Sequence, residues 1–130
     1  MSIITLISAF IAILIFIGLS IFQFLLVLGK PYGKAAYGGK YEVLPNNMRI
    51  LSGLATIIFV IASFFVAVRA EILLNFPFPD LANFGVWVFA FYLALNTVAN
   101  FLSQSKIEKQ IMTPISLTAC ICLFLVAFNL

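Results

Sequence analysis

Long apolar stretches and short polar segments alternate along the chain. Four apolar stretches are separated by three polar segments, and the polar segments hold most of the charged residues. A helix needs about 20 largely apolar residues to cross a bilayer core of about 30 Å. The pattern therefore predicts four transmembrane helices, at about residues 3–28, 48–70, 81–103 and 112–130.

The composition supports a lipid environment. Hydrophobic residues make up 65% of the chain and charged residues 8%, whereas about a quarter of the residues of a soluble domain are charged. The short alternating strands of a membrane barrel are absent from the sequence. Because the connections are short, consecutive helices should be antiparallel neighbours. We therefore expect a single integral membrane domain over residues 1–130, an all-α membrane protein whose four transmembrane helices form an up-and-down antiparallel bundle.

The start of the fourth helix has two interpretations. Thr113 followed by Pro114 is typical of an N-cap and the first helical position. Ser105 and Glu108 instead have the spacing of a capping box, which would start the helix earlier and leave Pro114 to kink it. The sequence leaves both open.

The charges predict an orientation. Six of the seven cations lie in or beside the first and third polar segments. They are Lys30, Lys34, Lys40, Arg49, Lys106 and Lys109. The positive-inside rule makes these segments cytoplasmic and places both termini outside.

The first polar segment, residues 29–47, contains four glycines and three tyrosines and is called the Gly-rich loop below. A phosphate-binding P-loop begun at Gly33 would need lysine where Gly39 stands, so a nucleotide site is excluded. Two interpretations remain. The loop is either a hairpin in the headgroup layer that attracts anionic lipids, or the lip of a ligand site.

Polar side chains of several helices are expected at one level beneath this loop. Asn96 and Asn100 share one helix face with Tyr92, and Gln23 and Ser52 lie at a similar depth. These groups would either bond between helices or floor a cytoplasm-facing pocket. The residues predicted to bind a ligand there are Gln23, Ser52, Asn96 and Asn100, with Arg49, Tyr37 and Tyr41 at the mouth.

Several kinds of chemistry lack candidate residues. The chain has no histidine, and no acid or base lies in the middle of a predicted span. Cys120 and Cys122 are two residues apart on one helix and therefore point to different faces. We expect no catalytic set, no metal site, no cofactor and no nucleic-acid partner.

The Gly-rich loop also carries a resemblance. The string G-K-P-Y-G-K-A-A-Y-G-G is followed by L-P-N-N-M-R and then by Ser52. With this spacing of glycines, aromatics and arginine, the chain resembles a group of small bacterial four-helix integral membrane proteins over nearly its whole length. That group has no assigned activity. The resemblance therefore implies only the fold and a location in the bacterial inner membrane.

Two functional hypotheses follow. The first is a non-enzymatic protein that binds a lipid, another amphiphile or a partner protein at its cytoplasmic face. The second is a channel or small-solute facilitator, which would need a homo-oligomer because four helices rarely enclose a useful pore.

Overall fold

The computed structural model describes residues 1–129, and within them the chain is helical and has no strands. Four helices of this part are long and apolar enough to cross a membrane, as the sequence predicted. The first three are α1 (Ile3–Val27), α2 (Asn46–Arg69) and α3 (Pro79–Phe101). The fourth, Glu108–Phe128, consists of a π-helical turn followed by α4 (Thr113–Phe128).

The helices pack as two closely associated pairs. α1 has its most extensive contacts with α2, and α3 with α4, while looser seams join α1 to α4 and α2 to α3. Small residues allow the close approach. The fully buried core includes Phe16, Leu93 and Leu123 together with Ala12, Ala62 and Ala90.

Hydroxyl and aromatic contacts join α1 to α2. Ser20 Oγ donates a 2.8 Å hydrogen bond to the carbonyl oxygen of Thr56. The rings of Phe16 and Phe59 stack with their centroids 5.8 Å apart. Large apolar side chains on the outer faces remain exposed, for example Leu14 and Leu95, and such surfaces suit contact with lipid chains.

The polypeptide becomes helical at Lys106, the earlier of the two starts that the sequence allowed. Ser105 Oγ accepts a 3.4 Å hydrogen bond from the Glu108 amide. The Glu108 carboxylate does not return to the Ser105 amide. Instead the Ser103 hydroxyl accepts from that amide, and it donates to Glu108 Oε1 at 3.0 Å. The capping box is therefore extended through a second serine.

A π-helical turn, Glu108–Met112, leads directly into α4 and accommodates Pro114. Proline has no amide hydrogen, and its ring would collide with the carbonyl four residues earlier in a regular α-helix. The wider turn relieves this conflict, and the Thr113 amide donates to the Glu108 carbonyl oxygen, five residues back.

One local contact between α2 and α3, that of the Phe65 ring with the α3 backbone, depends on Gly85. A Cβ atom at this position would overlap the ring of Phe65. We therefore predict that Gly85→Ala lowers the free energy of unfolding by about 1–3 kcal/mol, because the ring must move out of a packed contact. Thermal unfolding in detergent, followed by circular dichroism, measures the loss.

Gly18→Ala provides the matched control. Gly18 also lies inside a helix, but a Cβ there meets no atom within 4 Å. Alanine favours a helix over glycine by up to about 1 kcal/mol, so this variant should be at least as stable as the wild type. Equal destabilisation by both substitutions would contradict the packing argument.

Candidate functional site

The Gly-rich loop folds back on itself and rests on the start of the fourth helical segment. The Gly33 amide donates a 2.8 Å hydrogen bond to the carbonyl oxygen of Glu42. A Cβ at Gly33 would overlap the backbone of Tyr41, so the crossing requires glycine. On the outer side, the Ser105 hydroxyl donates to the Lys34 carbonyl oxygen. Both basic segments therefore lie at one end of the bundle, called the loop end below.

Tyr37 inserts its side chain from the loop into the bundle. Its backbone has a positive φ of 50°, which is uncommon for a residue other than glycine. The hydroxyls of Tyr37 and Ser52 share a 3.0 Å hydrogen bond. Because Ser52 is fully buried on α2, this bond anchors the loop to the interior.

A polar cavity of about 130 Å³ lies beneath the loop, between the helices. Its apolar wall includes Leu19, Phe22, Phe59 and Met112. Phe59 also stacks on Phe16 and belongs with it to the hydrophobic core. The polar lining residues are Gln23, Tyr37, Tyr92, Asn96, Asn100 and Glu108.

Much of the hydrogen-bonding capacity in this cavity is unused. Asn100 Nδ2 donates to Ser116 Oγ at 3.2 Å. Asn96 makes no side-chain hydrogen bond with any residue that the structure describes. Gln23 Oε1 is buried and has no partner among residues 1–129. Unpaired polar groups in an apolar surrounding raise the free energy, so the cavity favours a polar occupant.

Five of the seven predicted site residues belong to this arrangement. Gln23, Tyr37, Asn96 and Asn100 line the cavity. Ser52 reaches it through its bond to Tyr37.

Arg49 and Tyr41 lie elsewhere. Arg49 Nε donates to the Leu44 carbonyl oxygen at 2.9 Å. Its guanidinium packs against Gly29, where a Cβ would be 2.9 Å from Nη2. Tyr41 packs in a small apolar cluster at the loop end, and the Lys40 ammonium lies 5.4 Å from its ring centroid. Arg49 therefore braces the loop instead of forming the mouth of the pocket.

Two polar residues of the cavity, Tyr92 and Glu108, were not among those predicted to bind a ligand, and the position of Glu108 was missed altogether. The side chain is 7% exposed and lines the cavity, although an α4 starting at residue 112 would have left it in a solvent-exposed connection. The sequence feature that pointed to this position was the capping-box spacing of Ser105 and Glu108, which predicts an early start of the fourth helix. An early helix start places Glu108 one turn before Met112 and two turns before Ser116, on a single face.

Two apolar grooves adjoin the cavity. One, of about 250 Å³, lies between α2 and α3 and shares Phe59 and Tyr92 with the cavity. The other, of about 330 Å³, lies between α1 and the start of α4 and shares Leu19, Phe22 and Met112. The polar cavity and the apolar grooves are thus contiguous along both looser seams of the bundle.

Comparison with protein-family models, with curated proteins and with solved structures finds no match to this chain. The resemblance noted in the Gly-rich loop therefore stays a prediction. The function has to be argued from the chemistry of the cavity and its two grooves.

The bond between Tyr37 and Ser52 should hold the loop closed. Tyr37→Phe leaves the buried Ser52 hydroxyl without its loop partner, at a cost of about 1 kcal/mol. The open population of the loop should rise about fivefold. Trypsin cleavage after Lys34 and Lys40 of the purified protein measures this increase.

Tyr41→Phe is the control for that experiment, because the Tyr41 hydroxyl makes no hydrogen bond within the described residues. Its cleavage rate should equal that of the wild type. If Tyr37→Phe is cleaved no faster than Tyr41→Phe, the proposed anchor does not hold the loop.

Proposed function

We propose that the chain is a bacterial inner-membrane protein whose four helices span the bilayer as an antiparallel up-and-down bundle. Six of its seven cations lie in or beside the two connections at the loop end. The positive-inside rule then favours a cytoplasmic loop end and termini on the outside. The bacterial location is supported by the resemblance in the Gly-rich loop.

We further propose that the protein binds an amphiphile without catalysing a reaction on it. Its polar head occupies the cavity, and its apolar chain lies in the groove between α2 and α3. One observation carries the proposal: a polar cavity, in which Gln23 Oε1 is buried without a partner among residues 1–129, shares Phe59 and Tyr92 with an apolar groove. An amphiphile likewise consists of a polar head joined to an apolar chain.

Affinity should come mainly from the head. A hydrocarbon chain moving from lipid into an apolar groove leaves one apolar medium for another, so it gains little free energy. The head gains hydrogen bonds to Gln23 and Asn96, whose side chains have no hydrogen-bond partner among residues 1–129. The groove then positions the ligand, and the cavity holds it.

The ligand should enter sideways from the bilayer. Tyr37 and the neighbouring Ala35 and Ala36 cover the cavity on the loop side. Outside this cover, Lys34 and Lys106 line an open basic depression of about 410 Å³. Lysines near a membrane surface attract anionic lipids by about 1 kcal/mol each, which would hold the loop end against the headgroup layer.

The amphiphile proposal accounts for more of the bundle than a channel does. Beyond Phe59, the interior is filled by the fully buried side chains of Phe16, Leu93 and Leu123. A solute path along the axis of one chain would have to displace these residues. A channel would therefore need a path between copies in a homo-oligomer.

Native mass spectrometry of the protein released from its own membrane tests the proposal. The wild type should retain an amphiphile of defined mass. Asn96→Leu should reduce its retention about tenfold, because about 1.4 kcal/mol of hydrogen bonding is lost. Ala55→Trp should also displace it, because Ala55 lines the groove and indole fills that space.

Ile57→Trp is the matched control for the groove. It adds the same ring to the same helix, at an exposed position outside the groove lining, and should leave retention unchanged. Either a wild type with no bound amphiphile, or equal retention by Ala55→Trp and Ile57→Trp, would contradict the proposal.

A further inference from the structure

The chemistry of the ligand head can be inferred from Glu108, on the basis of the function proposed above. The Glu108 carboxylate lines the cavity and is almost completely buried. Within the described residues it accepts one side-chain hydrogen bond, from the Ser103 hydroxyl to Oε1. A carboxylate offers about four acceptor sites, so most of this capacity remains unused.

No cation of the described chain neutralises this acid in the cavity. None of the seven lysine and arginine side chains lines it. Lys109, the next residue along the helix, is exposed, and its ammonium lies over the Phe101 ring at 5.5 Å from the centroid. Lys34 Nζ donates to the Gly39 carbonyl oxygen, outside the cavity. The site therefore has negative character without an internal counter-ion.

A second acceptor adds to this character. Gln23 Oε1, which α1 contributes to the same cavity, is buried without a donor among residues 1–129. A buried carboxylate without a positive partner costs several kcal/mol. A positively charged group with N–H donors would offset that cost and satisfy the amide oxygen too.

We propose that the amphiphile carries a primary or secondary ammonium head, which donates N–H bonds to Glu108 and Gln23. An anionic head is disfavoured because it would face the carboxylate. A quaternary ammonium has the right charge but no N–H donor, so only the aromatic lining from Tyr37, Tyr92 and Phe59 could hold it.

Three dodecyl probes with different heads test this assignment: dodecylamine, 1-dodecanol and dodecyltrimethylammonium. Their dissociation constants are measured by native mass spectrometric titration of the protein in a neutral detergent. The wild type should bind dodecylamine about tenfold more tightly than either other probe, because its charged hydrogen bonds contribute most.

Glu108→Gln should weaken the binding of dodecylamine about tenfold and thereby remove the preference for dodecylamine over 1-dodecanol. Glutamine keeps an oxygen that can accept from Ser103, so the local fold is preserved. Glu42→Gln is the matched control. It removes the same charge from an exposed position on the Gly-rich loop and should keep the wild-type preference.

The outcomes separate the two proposals. If the wild type binds dodecylamine and 1-dodecanol equally, or if Glu108→Gln keeps the preference, the ammonium assignment is overturned while amphiphile binding stands. If the quaternary probe binds as tightly as dodecylamine, the N–H donors are not what the site recognises, and the assignment also fails. If none of the three probes binds, the proposed function fails as well.

Discussion

A polar group in an apolar surrounding has no water to bond with, and the hydrogen bonds within this bundle satisfy that constraint almost everywhere. The backbone satisfies itself by forming helices. Hydroxyls inside the helices bond back to the preceding turn, as Thr56 does to Ser52 and Thr97 to Leu93. The serines and threonines that the sequence places in apolar stretches are thus compatible with a lipid surrounding.

In the cavity, some polar groups are not satisfied by hydrogen bonds within the bundle. Gln23, Asn96 and Glu108 have bonding capacity that their own helices do not use. Besides Gln23 Oε1, one other buried side-chain atom has no partner in residues 1–129, namely Arg69 Nε. This residue lies at the end of the bundle opposite the loop end, and its Nη2 atom donates a hydrogen bond to the Ala127 carbonyl oxygen. This convergence of polar groups with unused bonding capacity on one space is what supports the proposed binding site.

Packing explains why the cavity forms between the helix pairs. α1 lies close to α2, where the Ser20 hydroxyl reaches the Thr56 carbonyl oxygen. α3 lies close to α4, where the Cys120 thiol contacts the Ala90 carbonyl oxygen. The seams between the pairs are looser, and both apolar grooves lie there. A bundle built from two tight pairs leaves space along its seams, and the Gly-rich loop closes that space at one end.

The sequence predicted the part of this site that depends on helical spacing. Asn96 and Asn100 are four residues apart, so they share a face in any α-helix, and the depth of Gln23 follows from its distance to the helix end. The sequence did not predict the position of Arg49. Its guanidinium packs against Gly29, and the positive φ of Gly29 depends on the path of the whole loop. The sequence also missed Glu108, because both possible starts of the fourth helix satisfied local capping rules. The structure has the earlier start, where the Ser105 hydroxyl bonds to the Lys34 carbonyl oxygen of the Gly-rich loop, and this long-range contact could not be predicted from the sequence.

Photolabelling in bilayer nanodiscs tests the central claim most directly, namely that one amphiphile occupies the cavity and the α2–α3 groove together. Dodecyl amphiphiles with a diazirine at the chain end and either an amine or an alcohol head would be crosslinked, and the labelled residues identified by peptide mass spectrometry. The account predicts labelling concentrated on groove residues such as Ala55, Ile58 and Val88, suppressed by an unlabelled competitor. Labelling that spreads over exposed residues outside the groove, such as Leu14 and Leu95, with both heads and that does not respond to the competitor would contradict it.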